Sequence, residues 1–148
     1  MKNIVALMGL TLCGLSASAQ KKPAPKPKAA PTTAVASSAA IAEGKNIYTQ
    51  NCLSCHQADG GGVDGLNPPL IKTSYVLGDK TRIVKVVLNG LQGEDIDGEP
   101  YNNAIPSYDF LTDQQIASVL TFVRNSFGNK AAPIGAAEVK AIRAANKK

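Results

Sequence analysis

The tightest constraint on this chain is a cluster of three reactive side chains within five residues. Residues 51–56 read Asn-Cys-Leu-Ser-Cys-His and contain two of the three cysteines and the single histidine of the 148-residue sequence. Cys52 and Cys55 are three positions apart, so one helical turn would place both thiols on the same side. His56 follows directly, and its imidazole would lie beside them. Whatever these groups hold, the rest of the fold has to close around it.

The Cys-x-x-Cys-His spacing is the signature of covalent haem c attachment. Two thiols on one helical turn can reach the two vinyl groups of one porphyrin, and the histidine then lies under the ring. There His56 can bind iron through Nε2, while Nδ1 needs an acceptor that fixes the tautomer. The carbonyl of Pro68 or Pro69 can supply that acceptor. We therefore predict one covalent haem c, with His56 as the metal ligand.

Other uses of the same residues fit less well. A structural zinc site needs about four protein ligands, and no second Cys/His cluster follows His56. A thioredoxin-like redox pair favours a βαβ setting, of which the sequence shows no sign. A structural disulfide remains the simplest alternative. The acidic residues of segment 96–101 resemble part of a calcium loop, but the ligand spacing is incomplete.

The N-terminal segment predicts export. A positive start is followed by an apolar run over residues 4–15, too short to span a bilayer, and by a small-residue cleavage site ending at Ala19. We expect a signal peptide over 1–19, cleaved after Ala19, and a periplasmic protein. An uncleaved anchor or a lipid on Cys13 are the alternatives. Residues 20–39 are rich in Pro, Ala and Lys and predict a disordered linker.

The net charge of +5 belongs to the ends of the chain. Residues 41–130 contain seven Lys or Arg against ten Asp or Glu, which gives −3 for that segment. A basic face for nucleic acid is therefore not expected.

Hydrophobic spacing predicts an all-α domain over residues 40–130, followed by a C-terminal extension over 131–148. Thr112 and Gln115 form a capping box, and Asp79 and Gly90 are typical of a helix start and stop. An Asp97-Gly98 pair predicts a tight turn. The helices expected on these grounds cover about 40–51, 79–89, 112–127, closed by Gly128, and 136–145.

With these residues in view, the sequence resembles a class I, single-haem cytochrome c over about residues 40–145. It is similar to the cytochrome c domains that serve periplasmic dehydrogenases and reductases. The resemblance implies a cytochrome c-like fold wrapped around one haem, with Phe122 crossing Gly44 beside Tyr48. It implies that the haem is contacted by residues that include Cys52, Cys55, His56, Pro68, Pro69, Leu70, Ile105 and Pro106.

The chain departs from this family at the second axial ligand. Where the family has a Met-Pro pair, this sequence has Ile105-Pro106, and its only methionines are Met1 and Met8. We expect five-coordinate iron, or iron with weakly bound water. Lysines elsewhere remain alternative ligands, as do the polar residues of the same loop: Tyr101, Asn102, Asn103, Ser107 and Tyr108.

The function expected from this sequence is single-electron transfer between redox protein partners. The first alternative is a haem protein that binds NO, CO or another small ligand at an open sixth position. The second is a non-catalytic subunit of a larger oxidoreductase. No nucleophile, general-base pair or substrate pocket is evident, so we do not expect an enzyme. We expect no nucleic-acid partner and no membrane segment in the mature chain.

Overall fold

A computed structural model describes residues 36–146, and the predicted signal peptide and most of the predicted linker lie outside this range. The described part is helical, with isolated β-bridges and no strand, which confirms the all-α prediction. No helix in residues 36–146 has the length and apolar character needed to cross a membrane. The helices are α1 (Ser38–Asn51), α2 (Leu53–His56), α3 (Ser74–Leu77), α4 (Lys80–Asn89), α5 (Asp113–Arg124) and α6 (Ala136–Ala145).

The crossing of α1 and α5 organises the core. A Cβ built on Gly44 would lie 2.7 Å from Phe122 Cβ and closer still to the Ser118 carbonyl oxygen. The two backbones can therefore approach closely only because position 44 has no side chain. Tyr48, one turn later on α1, packs against Phe122 with ring centroids 5.4 Å apart. The predicted contact between Gly44 and Phe122 is confirmed.

Helix α1 begins two residues earlier than the sequence predicted. The Ser37 side chain accepts a hydrogen bond from the Ala40 backbone amide at 3.2 Å, which caps a helix that starts at Ser38. By contrast, α4 matches the prediction, with Asp79 as its N-cap and Gly90 as its C-cap.

Helix α5 starts as predicted and ends three residues early. The capping box between Thr112 and Gln115 is present, but the helix stops at Arg124, so the predicted closure at Gly128 is wrong. Side-chain amides explain the early stop. Asn125 donates to the Thr121 carbonyl at 2.9 Å and Asn129 donates to the Val123 carbonyl at 2.8 Å, taking acceptors at the end of the helix.

The predicted helix over 136–145 is also confirmed, and the segment beyond residue 130 packs into the same core. Ile134 and Val139 are buried in it. The buried Arg124 side chain donates to the Ala132 carbonyl at 2.9 Å and to the Val76 carbonyl, which ties this segment and α3 to α5. Arg143 holds the other end through an ion pair with Asp113 at 2.6 Å.

The predicted Asp97-Gly98 turn is confirmed. Ile96 and Glu99 exchange backbone hydrogen bonds at 3.0 and 3.1 Å, and both central residues have positive φ, 56° and 89°. This is the backbone geometry of a type I′ turn.

Candidate haem site

The two thiols and the imidazole lie on the short helix α2 and its N-cap Cys52, directly after α1. The His56 backbone amide donates to the Cys52 carbonyl at 2.9 Å, so Cys52, Cys55 and His56 lie within a single turn. The turn ends at Gln57, whose φ is 63°, and the Tyr48 hydroxyl donates to the Gln57 carbonyl at 2.6 Å. Both thiols are free and partly buried. The aromatic core of α1 and α5 therefore fixes the turn that bears all three groups.

The orientation of His56 is set by one backbone carbonyl. Its Nδ1 lies 2.9 Å from the carbonyl oxygen of Pro68, which selects Pro68 over Pro69. Because a carbonyl only accepts, the proton sits on Nδ1 and the lone pair on Nε2. Burial lowers the pKa of His56 below its ordinary value, although the hydrogen bond to Pro68 opposes this in part. The imidazole is thus in the neutral form that binds a metal.

The loop that presents Pro68 is itself held at three points. The Gly62 amide donates to the His56 carbonyl at 3.1 Å, and the Leu70 amide donates to the Gly60 carbonyl at 2.7 Å. Gly62 has a φ of +70°, and a Cβ there would lie 2.7 Å from the Pro68 oxygen. The conformation of this loop, and with it the orientation of the His56 imidazole, therefore depends on the absence of a side chain at position 62.

Asn129 is the third restraint, and sequence reasoning did not single it out. This buried side chain donates to the Leu70 carbonyl at 2.8 Å and accepts from the Lys72 amide at 2.8 Å. It also donates to the end of α5, as described above. An asparagine just after Gly128 looks like an ordinary loop residue, so only its burial and its three hydrogen bonds reveal the role.

An apolar cleft lies beside this turn. The cleft consists of two adjoining cavities. Cys52 lines one and His56 lines the other, and Leu70 and Ile105 line both. Pro68 and Pro69 also line it, whereas Pro106, a predicted contact, is not among its lining residues. The residues that border both cavities are Leu70, Ile83, Val86 and Ile105.

The groups around the cleft fit a haem c. Burial raises the pKa of the Cys52 thiol to about 11, and Cys55 adds to the effect, so this sulfur is neutral at pH 7. Nε2 of His56 makes no hydrogen bond to any of residues 36–146 and is available for iron. Two thiols, one neutral imidazole and apolar walls are the donors and surroundings that a covalently bound porphyrin requires.

Ile105 lines both cavities of the cleft. The Ile105 amide donates to the Leu91 carbonyl at 2.8 Å, and the Leu91 amide donates to the Ile105 carbonyl at 3.0 Å. This pairing fixes an aliphatic side chain at the position where the resemblance implied a ligand. Within residues 36–146 there is no methionine to take its place.

An all-α domain with this turn and this cleft falls in the class of proteins that carry covalent haem. Sequence comparison then gives the family, because the family model described as Cytochrome c matches residues 41–127, more than half of the chain. The chain therefore belongs to the cytochrome c family, as a single-haem, class I member. It binds one haem c covalently and transfers electrons through it.

Individual relatives agree with this assignment. The chain is 36% identical over 115 residues to cytochrome c-552 of Thermus thermophilus, covering 71% of this chain and 77% of that protein. It is 38% identical over 103 residues to the cytochrome c subunit of the quinone-dependent alcohol dehydrogenase of Gluconacetobacter polyoxogenes. That match covers 68% of this chain and 22% of the subunit. The gluconate 2-dehydrogenase cytochrome c subunit of Pantoea cypripedii is 33% identical, over 68% of this chain and 24% of that subunit.

Proposed function

We propose that this chain is a periplasmic carrier of single electrons that accepts them from a dehydrogenase and passes them to another redox protein. In this proposal Cys52 and Cys55 attach the haem, His56 binds the iron and the Pro68 carbonyl orients His56. When bound, the haem supplies a one-electron Fe(III)/Fe(II) couple. The protein is exported with cleavage after Ala19 and has no catalytic role of its own.

The observation that carries the proposal is the 2.9 Å contact between His56 Nδ1 and the Pro68 carbonyl. It keeps Nε2 directed away from its own loop and holds the imidazole in one orientation. A hydrogen bond of this kind also makes the histidine a stronger electron donor. A fixed imidazole suits electron transfer, because this ligand need not move when the charge on the iron changes.

A dehydrogenase donor is supported by the nature of the relatives. Two of them are cytochrome c subunits of an alcohol dehydrogenase and a gluconate 2-dehydrogenase, and this chain aligns with only part of each. A free carrier corresponding to one domain of such a subunit could take electrons from a related enzyme.

The role of Pro68 can be tested with two matched glycine variants. Gly62→Ala and Gly65→Ala both place a side chain at positive φ, +70° and +64°, and this backbone conformation alone should cost each variant about 1–2 kcal/mol of stability. Only the Cβ at position 62 meets the Pro68 carbonyl, since nothing lies within 4 Å of a Cβ at position 65. Gly62→Ala should therefore weaken the bond to His56 and raise the reduction potential, while Gly65→Ala should leave the potential unchanged. Equal potentials in both variants would contradict the assigned role.

Electron transfer and export need separate measurements. Potentiometric titration of the purified holoprotein should follow a one-electron Nernst curve. Stopped-flow mixing of the reduced protein with a spectrally distinct oxidised cytochrome should show rapid, reversible exchange. Mass spectrometry of the periplasmic fraction should find a chain that starts at Gln20 and carries the mass of one haem. Sluggish exchange with every partner tried would argue against a carrier, and an intact N-terminus would argue against the cleavage site.

A further inference from the structure

The segment that carries Ile105, residues 101–108, is held by backbone hydrogen bonds at four of its residues: Asn102, Asn103, Ile105 and Tyr108. Besides the two backbone bonds between Ile105 and Leu91, the Tyr108 amide donates to the Val87 carbonyl at 2.8 Å. The Asn102 and Asn103 amides donate to the carbonyls of Gly65 and Leu66, both at 3.1 Å. Moving Asn102, Asn103, Ile105 or Tyr108 into the cleft would break the backbone hydrogen bonds of that residue.

Polar side chains in this segment are also engaged elsewhere. A ligand drawn from among them would have to give up a hydrogen bond and leave a carbonyl or amide without its partner. The hydrogen bonds are Asn102 Nδ2 to the Gly65 carbonyl at 2.8 Å, Asn103 Nδ2 to Asn67 Oδ1 at 3.1 Å, Ser107 Oγ to the Leu88 carbonyl at 2.7 Å and Tyr108 OH to the Asn51 carbonyl at 2.8 Å.

Tyr101 needs separate treatment, because it borders a small cavity together with Ile105 and Pro68. Burial raises the pKa of its hydroxyl, and the negative charges of Glu99 and Asp64 raise it further. These charges disfavour the phenolate, the form in which tyrosine binds haem iron, and Tyr101 lines neither cavity of the cleft. The acids around Tyr101 work against its use as a ligand.

Cytochromes c use His and Met as the two axial ligands. This chain has one histidine, and its methionines are Met1 and Met8, outside the described residues. We propose that the haem face opposite His56 is a binding site for a small uncharged diatomic ligand such as CO or NO. Ile105 is one of the side chains that line this site. This inference rests on haem attachment and is independent of the proposed electron donor.

The walls of the cleft decide the class of ligand. Apolar side chains of α3, α4 and the following loop surround Ile105, among them Val76, Ile83, Val86 and Leu91. No Lys, Arg, Asp or Glu of the described chain lines either cavity of the cleft. An anion would lose its hydration there without gaining a cationic side chain, whereas a neutral diatomic carries no such cost.

The test uses purified holoprotein, with haem content measured first by the pyridine haemochrome method. Dithionite-reduced wild type, Ile105→Leu and Ile105→Met are titrated with CO, and the Soret band is followed. Leucine and methionine have similar volumes, but only methionine brings a sulfur that can bind iron. Wild type and Ile105→Leu should bind CO with affinities within a few-fold of each other. The CO affinity of Ile105→Met should be at least tenfold lower, because its sulfur competes for the iron. The ferric wild-type protein should bind azide weakly and show a high-spin EPR signal.

Three results would overturn the proposal. One is a methionine–iron charge-transfer band, or a low-spin EPR signal, in ferric wild type. Another is CO affinity that is as low in wild type as in Ile105→Met. The third is a tenfold gain in CO affinity in Tyr101→Phe, which would mean that the phenol occupies the position. The EPR spectrum of wild type is decisive even if the methionine variant fails to mature.

Discussion

Replacing Asn129 by alanine should destabilise the protein far more than the same change at Asn125. Both residues follow α5, and both donate to a carbonyl of its last turn. Asn129 is buried with three hydrogen bonds, to Leu70, Lys72 and Val123, whereas Asn125 is exposed with one. Each hydrogen bond is worth about 1 kcal/mol net, and a buried partner left unsatisfied costs about 1–3 kcal/mol. We expect a loss of about 3 kcal/mol or more for Asn129→Ala and about 1 kcal/mol or less for Asn125→Ala.

The assay is guanidinium unfolding of the ferric holoprotein, followed by far-UV circular dichroism with a common m-value. The Soret band recorded in the same titration reports His56 ligation. Because Asn129 holds the segment just after Pro68, Asn129→Ala should lose the ligated spectrum at lower denaturant than wild type. Free energies of unfolding within 0.5 kcal/mol of each other for the two variants would refute the reasoning, at about the resolution expected of such comparisons.

Two further predictions concern α1. Gly44→Ala gains about 1 kcal/mol of helix propensity, but overpacking against the α5 backbone costs about 1–3 kcal/mol. Its Cβ contact with Phe122 at 2.7 Å cannot relax by side-chain rotation, so thermal unfolding should show a net loss. Tyr48→Phe removes a hydrogen bond to the Gln57 carbonyl and should cost about 1 kcal/mol at pH 7. Burial raises the pKa of Tyr48 above its ordinary value near 10, so this stabilisation is complete below pH 10 and is lost at higher pH. Stability should therefore fall less steeply above pH 10 in Tyr48→Phe than in wild type, and parallel pH curves would contradict this.

The helix positions and the haem-attaching turn could be predicted from sequence because their signals are local. Each of these signals acts within one helical turn, as at Asp79, at Thr112 and in the Cys52–His56 spacing. Residues close in sequence are therefore enough to predict them. The close helix crossing at Gly44 could also be predicted. Glycine inside a helix lowers its stability, and a close contact with another helix is a reason for it to be there.

Residues that act across the fold could not be found in this way. The early end of α5 depends on Asn129, whose other partners lie 57 and 59 positions earlier in the chain. Arg124 is buried and reaches the Val76 carbonyl, 48 positions away, although an arginine late in a helix is typical of a solvent-exposed position. The choice of Pro68 over Pro69 follows from the path of the loop, which two adjacent prolines do not reveal.

The burial of Val139 bears on how this domain can be shortened or fused. Its side chain is 0% exposed and belongs to the core that α5 completes, yet the family match stops at residue 127. A recombinant chain that ends at residue 127, where the family match ends, would expose apolar residues of α5 that α6 covers, and it would be prone to aggregate. Electrodes, affinity tags or a second redox module should therefore be joined beyond Asn146, where the addition leaves α6 in place.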